Sequence, residues 1–312
     1  MSLTVIMNPT SARGRTRRQW PELGKILAAQ AGPYTLRETT GPGTATELTR
    51  QALRQGADWI LAVGGDGTLN EVLNGFFDGE ALINPEARLS VLMSGTGGDF
   101  KRTLELSPEP EKALGQMLAR EPRKLDIGRL RLIGNDGKPA LRHFINIASF
   151  GVGGEVSVRL NESKLAARLG GKPGFMVATL ETLATFRPKP IKLTLEGPKG
   201  PFTLQGKIRQ VAVANGRYHG GGMHMAPRAK PDDGLFEVIA LEDHGLLHSL
   251  TSFGKVYKGE HLDDPKILYL QATRVAAEPL EGATVLLEVD GETPGRLPAS
   301  FEILPGAIWF QG

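Results

Sequence analysis

Up to about residue 125, short apolar runs alternate with stretches whose apolar residues recur every three to four positions. LTVIMN, YTLRET, DWILAV and RLSVLM have the length and apolar content of strands, whereas QWPELGKILAAQA, ATELTRQALRQG, TLNEVLNGFF and PEKALGQMLAR carry helical spacing. Alternation of the two predicts a parallel sheet with helices packed on its faces. Three glycine-rich segments, NPTSARG, VGGDGT and MSGTGGD, each follow one of these strands. Ligands of such sheets bind beyond the carboxyl ends of the strands, so the glycines stand where a ligand is expected.

Beyond EPRKLDIG the texture changes. GRLRLI, HFINIASF, IKLTLEG, FTLQG, IRQVAVAN, GLFEVIALE, RVAAEPL and TVLLEV are short strand-like runs separated by turns such as Gly134-Asn135-Asp136-Gly137. That spacing predicts a sandwich or barrel. Helical patterns interrupt it at FMVATLETLATF and GLLHSLTSFGKVY. A boundary near Leu125 and Asp126 therefore separates an α/β domain over residues 1–125 from a β domain over residues 126–300. No internal repeat or low-complexity segment is present.

With 312 residues, 40% hydrophobic and 23% charged, the chain has the balance of a soluble globular protein long enough for two cores. No apolar run has the length needed to span a bilayer, and MSLTVIMNPTSARGR reads as a first strand rather than a signal peptide. A cytoplasmic location follows as an expectation. Cysteine is absent, which removes disulfides, thiolate metal sites and a cysteine nucleophile. The net charge of +3 is gathered partly in SARGRTRR, where Arg13, Arg15, Arg17 and Arg18 could meet phosphates or an anionic membrane, or could simply be a solvated helix start. Only 6% of residues are aromatic and no basic–aromatic stripe occurs, which argues against nucleic acid as a partner.

The stretch AVGGDGTLNEVLNG holds the sharpest chemical signal. Glycine directly after Trp59-Ile60-Leu61-Ala62-Val63 loses backbone entropy on folding and packs nothing, so something is expected to approach the backbone there. Thr68 with Glu71 fits the S/T-x-x-E capping box, which places a helix start at about Thr68. Bare amides at a helix start attract anions, and Asp66 among them suits a phosphate that arrives with a cation. The stretch is thus either a cradle for a metal-bound polyphosphate or a tight turn without a ligand. Two glycines would serve the turn, so an aspartate among three favours the cradle. Neither a Walker A loop nor a G-x-G-x-x-G after a strand occurs in the chain.

VGGDGTLNEVLNG resembles the signature of the diacylglycerol kinase catalytic domain, a family that includes bacterial lipid kinases and sphingosine kinases, with NAD kinases as distant relatives. Other motifs follow in the family's order. Asn8-Pro9 with Gly14 is similar to its opening N-P-x-x-G, Thr39-Thr40 to its next nucleotide-contacting loop, and MSGTGGDF to its L-G-T-x-N-D-F element. NGRYHGGGMHMAP and AKPDDGLFEV resemble its second-domain signature, Asp290-Gly291-Glu292 its D-G-E element, and FEILPGAIWF its closing strand. The resemblance implies a Rossmann-like N-terminal α/β domain and a C-terminal β-sandwich, with the strand at 301–312 returning to the first domain.

It also implies roles. Asn8, Thr40, Gly64, Gly65, Asp66, Gly67, Thr68, Leu69, Asn70 and Thr96 would line an ATP site, with Asp66 acting near the phosphates and their Mg²⁺. Glu292 would be the general base, taking a proton from a lipid hydroxyl as it attacks the γ-phosphate. Lys230 and Leu235 through their carbonyls, and Asp233 through its carboxylate, match a structural Mg²⁺ site, although Asp-Asp-Gly is equally a plain turn. The implied activity is an ATP- and Mg²⁺-dependent lipid kinase working peripherally at a membrane; a homodimer is left open. A kinase of a soluble substrate, as in NAD kinase, and a non-catalytic nucleotide-binding module are the rival readings. The chain departs from the pattern at Gly97-Gly98, at Met93-Ser94 and at Gly43-Thr44-Ala45.

His244 and His248 stand at i, i+4 without a third ligand and read as surface histidines. His219 and His224 flank Gly220-Gly221-Gly222, a loop that is architectural or near substrate. The periodic apolar positions of FMVATLETLATF are core contacts or one wall of a lipid groove.

Overall fold

A computed structural model describes residues 2–93, 98–169, 171–243, 245 and 254–312. Thr96, His244 and His248 lie outside these residues, as does most of GLLHSLTSF. The chain divides into two compact units, Met1–Ile127 with Gly306–Gly312, and Gly128–Pro305.

The first unit is a parallel sheet wound with helices. Its strands are β1 (Leu3–Met7), β2 (Tyr34–Glu38), β3 (Trp59–Gly64) and β6 (Arg88–Met93), separated by α1 (Ser11–Ala31), α2 (Thr44–Arg54) and α3 (Asp66–Gly75), with a two-residue hairpin pair β4 (Phe77–Asp78) and β5 (Ala81–Leu82) before β6. After β6 come α4 (Asp99–Thr103) and α5 (Pro110–Ala119). β1 lies between β2 and β3, β3 pairs with β6, and all these pairings are parallel. β1 and β3 are buried along their whole length, which accounts for their continuous apolar runs. Because β2 and β3 leave β1 on opposite sides, the order reverses at β1/β3, the crevice where doubly wound sheets take their ligands.

The second unit is antiparallel. β7 (Arg123–Gly134) enters it and pairs with β8 (Pro139–Phe144); β9 (Ile147–Gly151) follows. Three helices intervene, α6 (Val152–Glu162), α7 (Lys164–Leu169) and α8 (Gly171–Thr185). Then come β10 (Lys189–Glu196), β11 (Phe202–Ala214), β12 (Phe236–Glu242), β13 (Ile267–Ala272), β14 (Arg274–Pro279), β15 (Leu286–Val289) and β16 (Glu292–Phe310). The core gathers Phe144, Phe150, Phe236 and Phe301, all at most 1% exposed. Phe144 stacks on Phe236 at 5.6 Å and Phe150 on Phe301 at 5.9 Å. Each such ring contributes roughly 1.5–3 kcal/mol by burial. The end of β16 belongs to the first unit, where Trp309 and Phe310 pair in parallel with Arg88 and Leu89 of β6.

Several local expectations give way. α3 begins at Asp66 rather than Thr68, and no capping box forms. Glu71 instead turns to a neighbouring helix, accepting from the Gly43 and Ala45 amides at 2.9 and 3.0 Å and so capping α2. HFINIASF splits into β8 and β9, while FTLQG and IRQVAVAN merge into β11. β13, α6 and α7 had no counterpart among the expected elements. The arginine cluster occupies the exposed start of α1, with Arg13 in a kink where Ala12, Arg13 and Gly14 all take left-handed φ of 51°, 57° and 75°, and Arg15, Arg17 and Arg18 in the regular helix that follows.

Candidate active site

The loops that leave β1 and β3, with the described segment from Gly98 into α4, build one site in the first unit. Asn8 follows β1: its amide donates to Val63 O at 2.9 Å and its side-chain nitrogen to Thr68 Oγ1 at 3.3 Å. Its side-chain oxygen accepts from the Thr10 amide and hydroxyl. The β1 loop is thereby tied to α3 across the switch point. Thr40, after β2, is exposed, and its amide donates to Thr44 Oγ1 at 3.2 Å.

Gly64 and Gly65 serve different needs. A Cβ on Gly64 would stand 2.4 Å from Thr68 Oγ1, so the close turn into α3 requires glycine there. A Cβ on Gly65 would meet nothing within 4 Å; its absence leaves open space before the α3 amides, to which the N-cap itself offers no side chain. Open space before helix amides suits a phosphate. Thr68, Leu69 and Asn70 are 7%, 1% and 5% exposed, so Leu69 can offer a ligand only its backbone.

Asp66 does more than face a ligand. Its carboxylate accepts from the backbone amides of Gly98 and Asp99 on one oxygen, at 3.1 and 3.2 Å, and from Phe100 on the other, at 3.3 Å. It thus ties the end of β3 to the start of α4. Burial pushes the Asp66 carboxyl above its ordinary value of 3.8, nearby Asp99 adds to this, and the three amides oppose it. Asp99 is 8% exposed and accepts from Arg102 Nη1 at 2.6 Å. Two carboxylates within mutual repulsion are a donor set that fits a hard divalent cation. Among the described residues no cluster of three or more His, Asp or Glu could hold a metal alone. A cation at Asp66 and Asp99 would therefore complete its shell from phosphate and water.

Lys101 is a residue that the sequence reading passed over. It is 6% exposed, and burial pulls its ammonium below the usual 10.5, helped by Arg102 and opposed by Asp66. Its side chain packs over Gly98: a Cβ there would lie 3.5 Å from Lys101 Cβ and Cε. A Cβ at Gly98 would also stand 2.8 Å from Met93 Sδ at a left-handed φ of 78°, so glycine, not asparagine, suits the position before Asp99. A lysine three residues after two glycines in GTGGDFK was the available signal.

In the second unit, Glu292 is exposed at the head of β16, after a turn in which Asp290 and Gly291 take φ of 48° and 95°. It borders a polar pocket of about 440 Å³ with Asn135, Asp136 and Arg142. The Asp290 carboxylate, 5% exposed, accepts from the amides of Ile145, Asn146 and Ile147 at 3.0–3.2 Å. Lys230 and Asp233 are exposed, and Asp233 Oδ1 accepts from the Leu235 amide at 3.1 Å, an Asx turn leading into β12. A separate apolar cavity of about 110 Å³ lies between α6, α8 and β11 and is lined by Val156, Phe175, Leu183, Met223 and His219 among others.

Comparison with known proteins agrees in both units. Residues 2–130 match the diacylglycerol kinase catalytic domain, and residues 146–310 the YegS C-terminal NAD kinase beta sandwich-like domain. The diacylglycerol kinase of Bacillus subtilis is 32% identical over 301 residues, covering 95% of this chain and 91% of the relative. That of Staphylococcus carnosus is 29% identical over 298 residues, covering 95% and 90%. The crystal structure of a diacylglycerol kinase from Bacillus anthracis superposes with a TM-score of 0.73 at 22% identity, covering 99% of this chain and 96% of that one. Yeast NADH kinase complexed with NADH shares the fold more distantly, with a TM-score of 0.51 at 12% identity over 99% of this chain and 83% of that one. Matched in both halves and aligned to its relatives nearly end to end, this chain belongs to the diacylglycerol kinase family.

Proposed function

We propose that this protein is a lipid kinase that moves the γ-phosphate of ATP to a hydroxyl of a membrane lipid of the diacylglycerol class. The observation that carries the proposal is the meeting of Asp66, Asp99 and Lys101 beside the glycine-capped start of α3 at the switch point of the sheet. Asn8, Thr40, the Gly64–Asn70 segment and Thr96 line the nucleotide, and the Lys101 ammonium faces its phosphates. Asp66 and Asp99 would hold a Mg²⁺ ion, which when bound would neutralise phosphate charge. Glu292 takes the proton from the lipid hydroxyl as that oxygen bonds to the γ-phosphorus and the bond to the β-phosphate bridging oxygen breaks, releasing ADP. The Asp233 turn, with the Lys230 and Leu235 carbonyls, is a structural Mg²⁺ position within the same proposal.

The second unit offers the surface such a substrate needs. No helix among the described residues is long and apolar enough to cross a membrane. Yet Leu165, Leu169, Met176 and Leu180 of α7 and α8 are 42–53% exposed, four of the six large apolar side chains that stand out from the described surface. Met176 and Leu180 point outward from the same helix whose Phe175, Thr179 and Leu183 line the apolar cavity. One face of α8 meets the bilayer and the other an acyl chain.

The test is transfer of label from γ-³²P-ATP to a panel of lipids in mixed micelles, with and without Mg²⁺, and with NAD as a soluble acceptor. Labelled lipid appearing only with Mg²⁺ is expected. Labelled NAD phosphate, or ATP binding without any labelled acceptor, would replace the proposal by one of its rivals.

A further inference from the structure

The cavity beneath α8 and the turn that carries Glu292 are joined by a chain of contacts. His219 lines the cavity, and its Nε2 stands 3.4 Å from Glu288 Oε2. Glu288 is 1% exposed, an expensive place for a carboxylate, and its contacts explain how it is kept there. Ser149 Oγ donates to Oε2 at 3.0 Å, and the Gly291 amide donates to Oε1 at 2.5 Å. Gly291 immediately precedes Glu292. The geometry is not that of a hydrolytic triad, since the serine bonds the acid and not the imidazole.

His219 is itself placed by the cavity. The HGGGM loop closes on reciprocal bonds, His219 amide to Met223 O and Met223 amide to His219 O, both 2.9 Å. Gly220, at φ 60°, packs so closely that a Cβ would stand 2.3 Å from Met223 Cε and 2.6 Å from the Phe175 ring. Met223 and Phe175 are walls of the same cavity. Met223, the loop neck and the imidazole therefore share one wall of the cavity.

We infer that His219 and Glu288 are positioning residues that couple occupancy of the apolar cavity to the placement of Glu292. This rests on the reading of Glu292 as the base. An acyl chain in the cavity seats His219 against Glu288, Glu288 holds the Gly291 amide, and the turn then fixes the Glu292 carboxylate. The ligand this coupling answers to is an acyl chain. An acceptor too short to fill the cavity loses the benefit.

Hydrogen exchange at the Gly291 amide reads the coupling without relying on catalysis. Adding dioctanoylglycerol to the full chain is expected to slow that exchange on the order of tenfold, because the bond the Gly291 amide already makes to Glu288 then opens less often. In His219→Leu the slowing should vanish, and in His219→Gln, which keeps an N–H, it should largely return. No slowing in the wild type, or equal slowing in His219→Leu, overturns the coupling. A second arm compares kcat on dioctanoylglycerol, whose longer chains reach the cavity, with kcat on diacetylglycerol, whose short chains do not. His219→Leu should lose on the order of tenfold on the long chain alone, with affinity for an ATP analogue kept; equal losses on both chains overturn the inference. Failure of the lipid-kinase reading looks different: no labelled lipid from the wild type, whatever the exchange shows.

Discussion

At the residue scale, the site turns on charges that are dear to bury. Asp66 was legible as a carboxylate among glycines, but its three amide donors come from a segment more than thirty residues later, which no local pattern announces. Lys101 was not legible because a lysine in a short helix is ordinarily solvated, and only its 6% exposure marks it. A buried ammonium beside two carboxylates and an open phosphate cradle should pull on a polyphosphate and not on a nucleoside. Lys101→Met is therefore expected to weaken a non-hydrolysable ATP analogue about tenfold in calorimetry while adenosine binding stays unchanged. Equal affinities for the analogue would remove Lys101 from the phosphate site.

At the element scale, most strands and helices follow from apolar period, and the exceptions have physical causes. Thr68 and Glu71 looked like a capping box, yet Thr68 is 7% exposed, accepts from Asn8, and lies inside the helix. Glu71 is drawn to the uncapped amides of α2 because Gly43 offers no side chain to cap them. Glu71→Ala should cost about 1–2 kcal/mol, read as a lower thermal midpoint. HFINIASF broke because the Ile145, Asn146 and Ile147 amides turn to Asp290, a partner far along the chain. The loop after the HGGGM neck has its own signature. Burial holds both His224 and His261 below the ordinary 6.5, and His261 Nε2 lies 3.0 Å from Met225 O. A base whose folded value is depressed favours the neutral form, so its contribution is intact above 6.5 and is lost as pH falls below that value. The thermal midpoint should drop between pH 7 and 5, and drop less in His261→Gln, each unit of depression being worth about 1.4 kcal/mol. Parallel pH curves for the two proteins would exclude His261 as a source.

At the scale of the whole molecule, the alternating first part and the short-strand second part were visible as a change of period near residue 125. The three added helices of the second unit were only partly visible, because α7 and α8 expose Leu165, Leu169, Met176 and Leu180 where a solvated helix would carry polar residues. That face is where the chain should meet lipid. Replacing Leu165 and Leu169 together by serine is expected to reduce sedimentation with phosphatidylglycerol vesicles at least fivefold, with the thermal midpoint unchanged since both side chains are already about half exposed. Vesicle binding equal to that of the wild type would move the membrane face elsewhere.

The central claim is that the glycine-rich crevice of the first unit binds ATP while Glu292 of the second unit deprotonates a lipid alcohol. It is tested most directly by following ³²P from γ-labelled ATP to dioleoylglycerol in mixed micelles for the wild type and Glu292→Gln, with ATP-analogue affinity measured on the same preparations. Labelled phosphatidic acid from the wild type, a kcat lowered at least a hundredfold in Glu292→Gln, and unchanged analogue affinity are the predicted results. A variant that turns over like the wild type, or one that loses its nucleotide along with its activity, would contradict the account.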